Sequence, residues 1–461
     1  MTATPTRRRP AGAAIRWTLA LAQFLLILDT AVLNVAVPRI AESVHIAPAQ
    51  QSWVINAFVI PFAGLLLAAG YLADQIGRRR AMIGGLILLA GGALLGVFAV
   101  DAATVLASRA IQGVGGAVTG ASAMSLVLHL FTGDARARAL ALYATMAGAG
   151  GVAGTVAGGA LTDWLGWRSL FALNVAAALA LAATAAAVLP GDPTHTPTAT
   201  ATEGPGRRMS AGPVAMTVAL AAAAYTITAA AQHPVASPHV WGAAAIAAAA
   251  ALLFVGLERL ASTPVIPRAV WSNRPMLTAL ALAGVSQFTL TPIFLLVSVY
   301  PQENLGYSAF AAGVILLPMS VAIVFIAPLL PRLLGVVGLA TVLVAGFAAI
   351  AVGAGALAFL IGPGRSYLAI TLVPTLIIAF GVPSTAMTTN IATAAHAGTA
   401  PTGITGGLLT TAQQFGAALG LAALPAIAQH SGGYRAAFVV ACGAAVIAIA
   451  AAVVSVRRRS I

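Results

Sequence analysis

The sequence predicts an all-α protein that crosses a lipid bilayer fourteen times, and three observations predict it. Of 461 residues, 60% are hydrophobic and 7% charged, with a mean hydropathy of +0.98, whereas ordinary soluble domains are about 25% charged. Runs of about 20 apolar residues recur from end to end, each long enough to cross a hydrocarbon core of roughly 30 Å. The basic residues, all 23 of them arginine, sit mostly in short segments between those runs.

A basic tail, 1–16, precedes the first run. No small-residue cleavage site ends that run, so it reads as a retained span and not a signal peptide. Spans follow at roughly 17–38, 51–72, 81–100, 104–126, 138–160 and 168–190, each about the length a bilayer needs. A Pro/Thr/Gly-rich linker, 191–211, is followed by two alanine-rich spans within 212–257. A second linker, 258–275, carries Pro264, Pro267 and Pro275. Six more spans fill 276–456, and a basic tail, 457–461, closes the chain. This layout predicts two six-helix bundles, 17–190 and 276–456, with an inserted helix pair packed at the side. The Gly150-x-x-x-Gly154-x-x-x-Gly158 run of the fifth span is echoed by Gly416-x-x-x-Gly420 in the thirteenth, as expected of pseudo-repeats.

With the N-terminus inside, eighteen arginines fall on the cytoplasmic side and four outside: Arg39, Arg168, Arg365 and Arg435. Arg109 is left within a span. Excess arginine marks the cytoplasmic face, so both termini are expected there, in a multi-pass protein of the cell membrane. The net charge of +13 is accounted for by orientation, so nucleic acid is not expected as a partner. A lone cysteine, Cys442, excludes an intrachain disulfide. No His/Cys/Glu spacing suggests a metal. No nucleophile–base constellation suggests an enzyme, and no Gly-x-x-x-x-Gly-Lys loop suggests an ATP-driven pump. Gly113, Gly115 and Gly116 follow no strand, so they make no dinucleotide loop.

The chemistry centres on Leu28-Asp29-Thr30. A carboxylate at membrane depth costs at least about 2.5 kcal/mol to insert, and such residues face cavities and carry protons or ligands. Asp29 lies roughly 20 Å up its span and Arg109 roughly 21 Å up its own, at 1.5 Å per residue. Arginine does not deprotonate in proteins, so Arg109 is a fixed charge and Asp29 the titratable one. Gln112 shares a helix face with Arg109. Both charged groups also fit a structural reading, with Arg109 reaching toward the outer surface. Asn34, Asn56, Gln112, Gln287 and Gln413, with aromatics such as Phe58, Phe62 and Phe288, are expected to line a mostly apolar cavity; each also fits a role as helix-packing glue. The glycines Gly150, Gly154, Gly158 and Gly159 present a smooth face, suited either to a sliding contact between halves or to ordinary tight packing. In Gly70-Tyr71-Leu72-Ala73-Asp74-Gln75-Ile76-Gly77-Arg78, Gly77 supplies the positive φ that so tight a turn needs. The arginines there can pair with Asp134 in the next loop, or serve only as a topology anchor.

Gly70-x-Leu72-Ala73-Asp74-x-x-Gly77-Arg78-Arg79 resembles the signature loop of the major facilitator superfamily. Leu28-Asp29-Thr30 with Asn34, Ala36 and Pro38 resembles the first-span motif of its fourteen-span drug:proton antiporters. Arg109 to Gly116 and Gly150 to Gly159 resemble the fourth-span and antiporter motifs, and Trp167-Arg168-Ser169-Leu170-Phe171 with Asn174 follows in the family manner. Tyr300-Pro301-Gln302 resembles a segment at the outer end of the ninth span. The resemblance implies a proton-coupled exporter of small lipophilic compounds, working without a cofactor on the proton motive force, with Asp74, Gly77 and Arg78 latching the halves on the cytoplasmic side. Two features depart from it: Thr155 stands where the antiporter motif has proline, and Leu330-Pro331-Arg332 has lost the acid of the equivalent loop. Asp29 is the one clearly intramembrane acid, so neutral or monovalent ligands are expected and divalent cations are not. A monomer is expected. A proton-coupled importer and a non-transporting receptor stay open as rivals.

Overall fold

The computed structural model describes residues 9–191, 212–234, 237–261, 264, 266, 268–362, 367–396, 402–430 and 433–457. The tail ends at 1–8 and 458–461, linker residues 192–211 and part of the second linker lie outside the described residues. Helices α1 (Arg9–Ser43), α2 (Trp53–Ile76), α3 (Arg78–Val97), α4 (Ala102–Leu130), α5 (Gly133–Leu165) and α6 (Arg168–Val188) come first. A pair follows, α7 (Gly212–Gln232) and α8 (Pro238–Leu260). A short α9 (Arg268–Ser272) leads into α10 (Arg274–Leu305), then α11 (Ala309–Ile326), prolonged by a short α12 (Leu330–Val337). The chain ends with α13 (Leu339–Leu360), α14 (Tyr367–Ala395), α15 (Thr402–His430) and α16 (Tyr434–Arg457).

Thirteen spans among the described residues are long and apolar enough to cross a membrane. The long helix outside that set is α15, at 29 residues, whose middle is diluted by Thr410, Thr411, Gln413 and Gln414. Several helices overrun the spans read from hydropathy. Helix α5 is 33 residues long because a chain leaving the apolar layer still satisfies its backbone most simply by staying helical, and hydropathy sees only the apolar part. Turns are tight where glycine permits them: Gly77, at φ 98°, ends α2 and starts α3, a backbone that a side chain would strain. Asp101 caps α4 by accepting from the Thr104 hydroxyl and backbone N–H, both at 2.7 Å. The hydroxyl bond first, then the backbone bond, hold its carboxyl below the usual range. That cap therefore stabilises the fold at neutral pH and is lost as pH falls through the lowered pKa.

One apolar core runs through α1–α6 and continues into α7, α10 and α15, and a second runs through α10, α11 and α13–α16. The pseudo-repeat is visible in the packing. Gly150, Gly154 and Gly158 of α5 lie against α1, and Gly416 and Gly420 of α15 lie against α10 at Gly284 and Phe288. Between the two halves, α5 meets α11, α2 meets α15 and α1 meets α10. The inserted pair is not simply peripheral. Gly64 of α2 accommodates Thr217 of α7, while Met216 of α7 packs beside Phe415 of α15. Helix α7 thus lies across the seam between the halves, with α8 outside it.

Candidate functional site: a buried charge cluster in the first six helices

Helices α1, α2, α4 and α6 converge on Asp29. Small residues bring them close: Gly113 of α4 lies against the Phe58 backbone of α2, and Gly92 of α3 against Gln112. The Arg109 guanidinium is held 4.6 Å over the Phe58 ring, a cation–π contact. Its Nη1 donates to both Asp29 oxygens, at 3.0 and 2.8 Å, and to Gln112 Oε1 at 2.8 Å. Its Nε donates to the Val54 carbonyl at 3.3 Å. Asn174 of α6 donates to Asp29 Oδ1 at 2.6 Å, and Gln112 Nε2 donates to the same oxygen at 3.3 Å. Asp29, Arg109 and Gln112 are each 0% exposed. Taking two charges out of water costs several kcal/mol each, and only close pairing with extra hydrogen bonds offsets that; this cluster supplies both.

The structure brings Asp29, Arg109 and Gln112 together and adds three groups that sequence reasoning did not assign to the cluster: Asn174, the Val54 carbonyl and the Phe58 ring. Arg109 points inward, so the reading in which it reaches the surface is corrected. Gln112, expected to line a cavity, is instead consumed by the pair. Asn56 is 0% exposed and neither of its amide atoms has a partner; Asn34 is 9% exposed with Oδ1 unpaired. Gln287 and Gln413 are half-buried, and Gln287 Oε1 accepts from Thr291 at 3.5 Å. A wide-open surface groove of about 580 Å³ lies elsewhere, between α2, α7 and α8, lined by Trp53, Tyr225 and His239 among others. Asp29 also has company among buried acids. Glu258, near the end of α8, is 4% exposed and accepts from the Ile266 N–H at 3.0 Å.

The glycine run divides between two neighbours. A Cβ at Gly150 would lie 2.7 Å from the Phe24 carbonyl oxygen and one at Gly158 2.6 Å from that of Val32, both on α1. These two glycines, with Gly154, pack tightly against α1 within one half and do not lie at the seam between halves. Gly159 faces the other way: a Cβ there would lie 2.6 Å from the Ala309 carbonyl oxygen of α11. Thr155 sits in unbroken helix, its hydroxyl donating to the Val152 carbonyl at 2.9 Å, with its own carbonyl against Gly313 of α11. In the loop after α2, Arg78 pairs with Asp74 at 2.9 Å. Gly70 lies against Ala121 of α4.

Asp163 lies in the last turn of α5, and its end of the bundle holds further contacts across the seam. Gln302 Nε2 donates to the Val35 carbonyl at 3.0 Å, and Gln51 Nε2 donates to Glu303 at 2.8 Å. Among the described residues, no group of His, Cys, Asp and Glu is placed to hold a metal ion.

The family model described as Major Facilitator Superfamily matches residues 19–421. The cephamycin export protein CmcT of Amycolatopsis lactamdurans is 35% identical over 425 residues, covering 87% of this chain and 82% of that protein. The puromycin resistance protein pur8 of Streptomyces alboniger is 31% identical, covering 87% of this chain and 79% of that one. A crystal structure of a D-xylose–proton symporter superposes with a TM-score of 0.68 at 14% identity, over 95% of this chain and 97% of the other. At that identity the likeness speaks to the fold alone.

Proposed function

Because this chain belongs to the Major Facilitator Superfamily, we propose that it exports small lipophilic compounds across the cell membrane in exchange for protons. It is a multi-pass membrane transporter and not an enzyme. In this reading both termini are cytoplasmic, the Asp163 end of the bundle is the outer end, and the chain works as a monomer without a cofactor. The observation that carries the reading is the Asp29 cluster. A carboxylate wholly buried against a permanent cation is a place to store one proton, and storing it rewires the site. Protonated Asp29 loses its ion pair, and Arg109 is left with Gln112, the Val54 carbonyl and the Phe58 face. Four helices are tied at that point, so one proton can change how α1, α2, α4 and α6 sit together. The antibiotic export and resistance proteins among the relatives favour outward over inward transport.

The charge balance narrows the substrate. Asp29 is already neutralised by Arg109, so the site offers a divalent cation no free carboxylate; neutral and monovalent compounds fit it better. One proton crossing about 100 mV is worth about 2.3 kcal/mol, enough for roughly a fiftyfold gradient. The test uses everted vesicles acidified by respiration and a pH-sensitive dye. Adding neutral or monocationic lipophilic antibiotics should release lumenal protons with the wild type and not with Asp29→Asn. Identical traces from the two proteins, or acidification on adding the compound, would overturn the reading. Asp29-dependent export of a dication would refute the charge limit.

A further inference from the structure

Asp163 sits in the last turn of α5, in the first half, yet both its oxygens serve the second half. Oδ1 accepts from the Ala309 N–H at 3.2 Å and Oδ2 from the Phe310 N–H at 2.8 Å. Those are the first two N–H groups of α11, an 18-residue helix. The third, of Ala311, goes to its own N-cap, Ser308 Oγ, at 3.2 Å. A helix start has no internal acceptors for these donors, and its dipole favours a negative charge there. Here two of the three acceptor bonds come from the opposite half of the protein.

The approach is built into one stripe of α5. Thr155, Gly159 and Asp163 recur every four residues, so they share a face. Gly159 and Gly313 remove the side chains that would hold the backbones apart, and the Trp164 and Phe310 rings lie 5.9 Å apart beside the carboxylate. This stripe is offset from Gly150, Gly154 and Gly158, which bind α5 to α1. One face of α5 therefore belongs to its own bundle, and the other ends in an acid that reaches across the seam.

We propose that Asp163 is the latch of the outer gate: its carboxylate caps α11 when the outer ends of the halves are closed, and must leave it when they part. Asp74, at the opposite end, is engaged with Arg78 of its own loop in this same arrangement. The word "outer" rests on the orientation given under the proposed function; the latch itself rests on the contacts.

The experiment uses the full-length transporter in intact cells, with Cys442→Ala as background. Val35→Cys reports on the outer seam, since Val35 is 0% exposed and clustered with Ala309 and Ala312 of α11. Leu67→Cys, against Gly407, reports on the other end in everted vesicles. A membrane-impermeant maleimide measures both. Asp163→Ala should raise labelling at Val35→Cys by about fivefold, the upper range for a charge at a helix start, while labelling at Leu67→Cys stays level or falls. Asp163→Asn, which keeps an acceptor but not the charge, should lie between. Unchanged labelling at Val35→Cys overturns the latch. So does a parallel rise at both ends, which would be general loosening. Labelling needs no transported compound, so failure of the export reading and failure of the latch are separate results.

Discussion

Replacing Arg109 by methionine is expected to cost about 3–5 kcal/mol of stability, the usual penalty for breaking a buried pair from one side. The variant leaves the Asp29 carboxyl group at 0% exposure without its cation, with only the amide donors of Asn174 and Gln112. Asp29→Asn should cost less. It removes a charge yet keeps an oxygen for Arg109, whose cation still has Gln112, Val54 and the Phe58 ring. The double variant Asp29→Asn, Arg109→Met should recover much of the loss, since it leaves no unpaired charge in the bundle. Thermal unfolding of purified protein, followed by a thiol-reactive dye on Cys442, measures all three. A strong coupling between the two positions, with transport absent from every variant, is the expected result. Simple additivity would mean that the two side chains do not act as a pair.

That pair was the most legible part of the site. Two charges inside apolar runs announce themselves by their cost, and a rise of 1.5 Å per residue is enough to place them at one depth. Gln112 was legible too, three residues from Arg109, though its partner was not: spacing along a helix tells which residues share a face, not what that face meets. Asn174 was beyond reach for the same reason. It stands 145 residues from Asp29, and nothing local distinguishes it from an asparagine that holds helices together. The fourteen-helix layout followed from hydropathy, yet α15 was apolar only in part because Gln413 and Gln414 interrupt it. The glycine run shows the limit most clearly. A period of four announces a smooth face, but Gly158 and Gly159 are adjacent and look in different directions, one to α1 and one to α11. Only the packing assigns the first to a bundle and the second to a seam.

The same division sets the second large effect, which compares leucine at Gly158 with leucine at Gly313. Both glycines touch backbone: Gly158 meets Val32 of α1, and Gly313 meets the Thr155 carbonyl of α5. Overpacking of this kind costs about 1–3 kcal/mol, occasionally more. At Gly158 the strain has no outlet. Helices α1 and α5 share one core, and Val32 is one turn from Asp29, so pushing α1 away lowers the melting temperature and pulls the charge cluster apart. At Gly313 the strain can be relieved by moving α11 away from α5 across the seam, without pushing α5 off α1. Gly313→Leu should therefore melt close to the wild type, while a shift of about 1–3 kcal/mol raises labelling of Val35→Cys from about fivefold to more than a hundredfold, and transport stalls because the seam no longer closes. Gly158→Leu should show the reverse, with lowered thermal stability and little selective labelling. If the two variants lose stability equally and label alike, then α5 meets α11 as rigidly as it meets α1, and the seam is not a moving surface.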